Sequence, residues 1–342
     1  MDRQLGTRIC VIGCGHWGKN LLRNFHQIGC LHGFFDAVPE RLEAFAAQYP
    51  GARAYRSYEA VLRDPEVQAV VLATPAEQHA PMAIAAMHSG KDVFVEKPMA
   101  LTPEAGDEIL EAAREKRRIV MVGHLLLYHP AIVAIQQLLA SGELGRLEYI
   151  YSNRLSMGKI RSEENALWSF APHDIAVLLS LTGHLPVQVS ATGGAYLQPN
   201  IADVTVSDLL FNHGTRAHIF VSWLHPYKEQ RLVVIGNKKM VVFEETRPSA
   251  KLLLYDNRVA RNGSGFEARQ NEPTILAYGD EEPLRIECQH FADCVRNRQQ
   301  PRTPAEDGLR VLQVLQACQR SLQLNGELVQ LDPRAFQRVV EL

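Results

Sequence analysis

Two side chains, Lys97 and His173, have types and settings that suit proton transfer. Glu96 and Lys97 follow the short apolar run Val93-Phe94-Val95 and precede Pro98, and His173 stands in Phe170-Ala171-Pro172-His173-Asp174. A brief Val/Phe run reads as a buried parallel strand, and in open α/β sheets ligands lie just beyond the carboxyl ends of the strands, where Lys97 emerges. An amine there can hold a developing alkoxide or, if desolvated to neutrality, take a proton. Pro172 suits a first helical turn, residues 175–181 are apolar and Gly183 suits the stop, so His173 is expected at a helix amino terminus. The positive end of a helix favours the neutral imidazole that a general base needs. The plainer alternatives are a solvated Glu-Lys turn and a capping or core histidine.

A second constellation binds rather than reacts. The β-rich run 8–12 ends in Gly13-Cys14-Gly15-His16-Trp17-Gly18, and residues 19–28 show helical spacing of Leu21, Leu22, Phe25 and Ile28. Strand, GxGxxG and helix in that order are the context of a dinucleotide fingerprint: Gly13 for the tight turn, Gly15 for approach of a pyrophosphate, Gly18 for close packing of helix on strand. The helix amino terminus then faces the phosphates. Asp36 ends the next strand at the distance where a carboxylate meets the adenosine ribose and repels a 2′-phosphate, which favours NAD, while Arg41 keeps NADP open. A helix-capping or turn aspartate is the alternative. Thr74-Pro75 closes a further strand at the same edge, and His79 after it reads as a loop or helix-start histidine.

The elements that must carry these residues alternate. Helices are expected near 40–48, 80–88 and 103–116 and strands at 67–73, 93–96 and 119–122, which makes a doubly wound parallel sheet of the α/β Rossmann kind over residues 1–123. The texture then changes: a helix at 130–141, β-rich runs at 147–153, 187–192, 205–211, 217–223, 231–235, 240–244 and 251–255, and helices at 286–297 and 305–322. Asn212-His213-Gly214 and Gly236-Asn237-Lys238 read as hairpin connections, so residues 124–342 are expected to form an α+β domain around a large open antiparallel sheet. Too few helices remain to cover both faces, and the free face is expected to join copies as a homodimer or homotetramer.

Composition narrows the class. A net charge of −2 over 342 residues speaks against a nucleic-acid partner. Six cysteines without paired spacing suggest reduced thiols, and Cys10 and Cys14 flank a loop already accounted for, so no metal is expected. Met1-Asp2-Arg3-Gln4 lacks the pattern of a signal peptide and no apolar run reaches spanning length, so the expectation is a cytoplasmic protein without a membrane partner.

The order GxGxxG, Asp36, Thr74-Pro75, Glu96-Lys97-Pro98, a helix-opening histidine and Glu306-Asp307-Gly308-Leu309 resembles, over nearly the whole length, the glucose–fructose oxidoreductase / inositol dehydrogenase / MocA family of NAD(P)-dependent sugar dehydrogenases. The resemblance implies that Lys97 and His173 flank the nicotinamide and the reacting carbinol, and that the Lys97-Pro98 bond is often cis. It also implies that His16, Trp17, Thr74, Pro75, His79 and Glu96 join the cofactor contacts and that Tyr128 meets the substrate. The family commonly has an aspartate four residues before the histidine, where this chain has Ser169. Asp174 cannot simply replace it, because adjacent helical residues point about 100° apart.

Within the family, residues 159–174 are similar to those of members that oxidise the 3″-hydroxyl of UDP-N-acetylglucosamine, ahead of transamination to a 2,3-diamino sugar of lipid A or surface polysaccharide. Lys159 and Arg161 would meet a diphosphate, and Asn165 and Trp168 would offer hydrogen bonds and an apolar face to a sugar or uracil; a solvated loop is the alternative. The expected partners are a UDP-sugar and, where NADH is recycled in place, a keto acid. Other readings are the same fold acting on a UDP-uronic acid, a free sugar or an inositol, glycosidic cleavage through transient oxidation, and an NAD-binding sensor or scaffold without turnover.

Overall fold

The structure, a computed structural model, describes residues 6–331 apart from Asn257 and Gln270; the stretch Met1-Asp2-Arg3-Gln4 lies outside the described residues. The chain divides into two compact units, Met1–Tyr128 with Glu281–Leu312, and His129–Asp280 with Gln313–Leu342.

The first unit alternates strand and helix: β1 (Ile9–Ile12), α1 (Gly18–Gln27), β2 (Leu31–Phe35), α2 (Pro39–Gln48), β3 (Arg53–Ala54), α3 (Tyr58–Arg63), β4 (Ala69–Leu72), α4 (His79–His88), β5 (Asp92–Glu96), α5 (Pro103–Lys116) and β6 (Val120–Gly123). The six strands are parallel in the order β3-β2-β1-β4-β5-β6. β1, β4, β5 and β6 are buried along their whole length, which is why they read as unbroken apolar runs rather than alternating ones. Local chemistry sets the helix ends. Thr102 caps α5 by accepting the Ala105 N–H at 3.2 Å, Pro103 occupies the first turn, and Arg117 closes it in the left-handed region. The Lys97-Pro98 peptide is cis.

The second unit holds α6 (Pro130–Ala140), β7 (Leu147–Met157), α7 (Ala166–Thr182), β8 (Gln188–Gly194), β9 (Val204–Leu210), β10 (Arg216–Ser222), β11 (Leu224–Gly236), β12 (Met240–Glu244), β13 (Leu252–Tyr255), β14 (Arg258–Asn262), β15 (Gly265–Arg269), β16 (Thr274–Ile275) and, near the carboxyl end, β17 (Val329–Gln330). Nine of these strands form one sheet in the order β16-β13-β12-β11-β7-β10-β9-β8-β17, while β14 and β15 pair only with each other. The sheet is mixed but mostly antiparallel: β7 and β10 run parallel, with Ile150 opposite Ala217. Both expected hairpin connections are present, β9 to β10 and β11 to β12. α7 packs on β7, β9 and β10. Half-buried aromatic side chains project from alternate positions of β7 and β10, Tyr149, Tyr151, His218 and Phe220, with the Tyr151 and His218 rings stacked at 5.1 Å.

Two late helices follow, α8 (Pro283–Asn297) and α9 (Ala305–Gln323). α8 belongs to the first unit. Its Leu284, Cys288, Phe291, Ala292 and Val295 recur at helical spacing and join one core cluster with Leu21, Leu22, Phe25 and Phe94. No helix among the described residues is long and apolar enough to cross a membrane.

Candidate active site

In the first unit the glycine loop shows which glycines the fold needs and which it leaves for a ligand. Gly13 has φ +87°, and a Cβ on it would stand 2.8 Å from the Ala73 carbonyl oxygen; a Cβ on Gly18 would stand 1.8 Å from the Gly13 carbonyl oxygen. Both are demanded by packing alone. Gly15 is different, because the nearest atom to a Cβ there is Arg41 Nη1 at 3.7 Å, so the protein itself has room and the cradle is kept open. Trp17 is the N-cap of α1 and no side chain caps that end; the Lys19 and Asn20 N–H groups donate to the Gly15 and Trp17 carbonyls at 3.2 and 2.8 Å, and the positive end of the helix favours an anion. His16 beside it is exposed. These residues fit a dinucleotide.

Asp36 is almost buried at the end of β2. Its Oδ2 accepts the Cys14 N–H at 2.6 Å, its Oδ1 accepts the Val38 N–H at 2.8 Å, and Arg41 Nη1 lies 3.6 Å away. The carboxylate is thus fixed by the loop it is expected to serve, with lone pairs left for ribose hydroxyls. Burial, helped by the charge of Asp36, pushes the Cys14 thiol up to about 12, so it stays a neutral thiol. The one His/Asp/Glu cluster among the described residues with metal-like spacing, His32, Asp64 and Glu66, sits away from the glycine loop at the start of β2. Its Asp64 already accepts from Arg53 and Tyr55 at 2.7 Å each.

At the carboxyl edge Thr74 is half-buried and Pro75 exposed. His79 opens α4, as expected of a helix-start histidine; it is 1% exposed and its ring spans two carbonyls, Nδ1 at 2.8 Å from Pro98 O and Nε2 at 2.9 Å from Thr74 O. Its ring therefore staples the loop after β4 to the loop after β5. Glu96 is buried, and burial pushes its carboxyl up to about 7, against the pull of the Trp17 indole N–H bonded to it at 2.5 Å and of neighbouring Lys97. Lys97 is half-buried at the end of β5. Tyr128, which the resemblance places at the substrate, lies in the first unit. It is fully buried, its hydroxyl meets Thr303 Oγ1 at 3.3 Å, and the Arg302 guanidinium lies over its ring at 4.9 Å.

In the second unit the expected substrate segment straddles the start of α7. The largest departure concerns His173. α7 begins at Ala166, Pro172 lies inside it, and His173 is therefore mid-helix, so the argument from a helix amino terminus does not hold. Asn165 is the N-cap, accepting the Trp168 N–H at 3.2 Å. Proline is rare inside helices, so Pro172 points to a later start; here the earlier Asn cap outweighs the backbone bond that Pro172 forgoes. Ser169 is one turn before His173 on the same helical face and is buried, while His173 is half-buried.

Asn165 and Trp168 share one side-chain partner in the second unit. Asn165 Nδ2 donates to Gln319 Oε1 at 2.8 Å and Trp168 Nε1 donates to the same oxygen at 3.1 Å, so their polar groups fasten α7 to the end of α9. Gln319 had no sequence signal, because nothing local relates residues so far apart. Lys159 is exposed and Arg161 pairs with Glu164 at 3.0 Å. A second loop braces this one: Gln198 Nε2 donates to the Arg161 carbonyl at 2.9 Å, and the fully buried Asp203 accepts the Tyr196 and Leu197 N–H groups at 2.6 and 2.9 Å.

Comparison with known proteins agrees with this geometry. Residues 7–124 match the oxidoreductase family with an NAD-binding Rossmann fold, and residues 132–242 match the GFO/IDH/MocA C-terminal domain. A UDP-N-acetylglucosamine 3-dehydrogenase of Acidithiobacillus ferrooxidans is 31% identical over 84% of this chain and 88% of its own. Its solved structure superposes with a TM-score of 0.80, at 28% identity over 93% of this chain and 98% of that one. A scyllo-inositol 2-dehydrogenase (NAD(+)) of Bacillus subtilis is 27% identical over 97% of this chain and 98% of its own. With the dinucleotide cradle, the lysine at the carboxyl edge and both domains matched, the chain belongs to the GFO/IDH/MocA family and is an NAD(P)-dependent oxidoreductase acting on CH–OH groups.

Proposed function

We propose that the protein oxidises the 3″-hydroxyl of UDP-N-acetylglucosamine, with NAD as the preferred cofactor, to the 3-keto sugar that a transamination converts to a diamino sugar for lipid A or surface polysaccharide. The observation that carries this reading is the 31% identity, across 84% of the chain, to a UDP-N-acetylglucosamine 3-dehydrogenase. Bound NAD would supply the acceptor for the hydride leaving the carbinol carbon. The chain's own residues have the proton and the geometry to manage. His173 takes the hydroxyl proton, and Lys97 orients the oxygen and stabilises alkoxide charge, with the roles exchanged if Lys97 is neutral. Exposed Lys159 and half-buried Arg161 meet the diphosphate. Asp36 at the ribose end favours NAD over NADP. The aromatic face of the nine-stranded sheet supports association of copies as a dimer or tetramer, a cytoplasmic location accompanies this reading, and a keto acid could recycle NADH in place.

The test is absorbance of NADH after mixing the enzyme, NAD and UDP-N-acetylglucosamine, with a 3-aminotransferase and glutamate to draw the equilibrium forward. Accumulating NADH and a diamino sugar nucleotide support the proposal; dinucleotide binding without turnover or a UDP-sugar thermal shift would overturn it. A second reading, oxidation of an inositol, is favoured by the scyllo-inositol dehydrogenase that matches 97% of the chain. NADH formed with inositols but not with UDP-sugars would select it.

A further inference from the structure

Glu287 lies on α8 within the first unit, is fully buried, and neither of its carboxyl oxygens meets a protein donor. A carboxylate so placed would be left with unsatisfied lone pairs in a dry core; a neutral carboxylic acid needs only one acceptor. The packing of α8 on β5 says which acceptor is at hand. Phe291, one turn after Glu287 on the same face of the helix, meets Phe94 edge to face at 5.6 Å between ring centroids. Phe94 and Glu96 point to the same side of β5. Four helical residues advance about 6 Å and two strand residues nearly 7 Å, so the register that sets Phe291 on Phe94 sets Glu287 over Glu96. The charge of Glu96 is felt by both Glu287 and Cys288, and it raises both groups further beyond the effect of burial. Glu96 in turn accepts from the Trp17 indole at 2.5 Å and from the Lys97 N–H at 3.3 Å.

We propose that Glu287 is a positioning residue of the cofactor corner: as a neutral acid it donates a hydrogen bond to Glu96, and the pair, carrying one proton and one negative charge, fixes Trp17 at the start of α1 and the backbone of Lys97. The two carboxyls occupy one dry pocket where two charges cannot stand together. The other titratable or charged groups facing the pair are Lys97 at the end of β5, Cys288 on α8 itself, and Tyr128, which feels Glu287 and carries Arg302 over its ring. Glu282, the N-cap of α8, and Arg23 on α1 act on Cys288. Glu287 appears nowhere among the residues singled out from sequence, since a glutamate in a helical pattern reads as surface.

The test uses the full chain labelled with 5-fluorotryptophan, whose three fluorine resonances belong to Trp17, Trp168 and Trp223; Trp17→Phe identifies the first. The Trp17 resonance titrates as Glu96 ionises. Glu287→Gln, which keeps a donor, is expected to hold that midpoint within about half a pH unit of wild type, and Glu287→Leu, which removes the donor, to raise it by about one pH unit or more. Midpoints lowered in both variants would mean that Glu287 is ionised and repels Glu96, and midpoints unmoved in both would mean that it does not touch Glu96; either overturns the proposal. If the leucine variant does not fold, infrared difference spectra decide: a protonated-carboxyl carbonyl band at about pH 8 in wild type must vanish in Glu287→Gln, and its persistence overturns the proposal. Affinity for NADH completes the test. It should survive in the glutamine variant and fall about tenfold in the leucine variant, a loss of ~1.4 kcal/mol; equal affinity in all three forms would remove the positioning role.

Discussion

Arg154 and Asp174 form a two-pronged ion pair deep in the second unit, with Nε 2.8 Å from Oδ2 and Nη2 3.0 Å from Oδ1, and the Ser152 hydroxyl adds a third bond to Oδ1 at 2.7 Å. The pair pins α7 to β7 one residue after His173, so it sets the rotation at which the helix presents that imidazole. Asp174→Ala should destabilise the protein by ~3–5 kcal/mol, because it strands a buried guanidinium. Urea unfolding checks this; a loss well under ~1 kcal/mol would show that the pair is solvated and does not fix the helix.

Lys97→Met and His173→Asn should each lower kcat by ~10²–10⁴-fold with dinucleotide affinity little changed, the loss expected when a group that moves or holds a proton is removed. Steady-state kinetics on the substrate identified by the coupled assay provide the check. Near wild-type turnover in either variant removes that residue from the mechanism.

Two glycines of the loop, Gly18 and Gly15, should separate fold from binding. Gly18→Ala puts a Cβ 1.8 Å from a carbonyl oxygen and should cost several kcal/mol or prevent folding altogether. Gly15→Ala has room in the protein and should change stability by less than ~0.5 kcal/mol, yet weaken NADH binding where the pyrophosphate must approach. Thermal denaturation with a fluorescence titration of NADH distinguishes them, and an unaltered affinity in Gly15→Ala would contradict the cradle.

His124 follows β6, is fully buried, and neither ring nitrogen meets a partner among the described residues. Burial, aided by the charge of Lys97, drives its pKa from 6.5 down to about 3. The folded state therefore binds fewer protons than the unfolded chain between these values, so its contribution to stability is complete above pH 6.5 and is lost as pH falls toward 3. Relative to His124→Leu, wild type should lose ~1.4 kcal/mol per pH unit below that point. Parallel stability–pH profiles for the two proteins would show that the ring is hydrated.

Asp36→Ala should raise the ratio of NADP to NAD affinity, since it removes a charge that repels a 2′-phosphate and leaves Arg41, now 3.6 Å from Asp36, to meet one. Paired titrations with NADH and NADPH measure the ratio. No change would mean that Asp36 serves only the Cys14 and Val38 N–H groups.

Much of this was legible in the chain because the physics was local. Buried parallel strands announce themselves as apolar runs, and α5 was bounded correctly at Pro103 and Lys116 by a threonine cap and a proline. The start of α7 was less legible because two signals compete there, Asn165 and Pro172, and only the first is a cap. The side-chain partners of His79, Tyr128, Asn165 and Trp168 were not legible for another reason. Each is polar and lies near the motifs, but its hydrogen bonds are met by carbonyls or side chains that periodicity cannot locate, such as Pro98, Thr303 and Gln319. The same is true of Glu287, whose register over Glu96 depends on a helix that arrives long after the strand.

That late arrival has a consequence during synthesis. When the ribosome has released β6, the parallel sheet is complete in strand number, yet Phe94, Phe25, Leu21 and their neighbours still lack Leu284, Cys288 and Phe291, which belong to the same core. The apolar flank they leave must wait for roughly half the chain to be made, and a truncated product ending near Tyr128 would carry it bare into solution, a surface for aggregation and for chaperones.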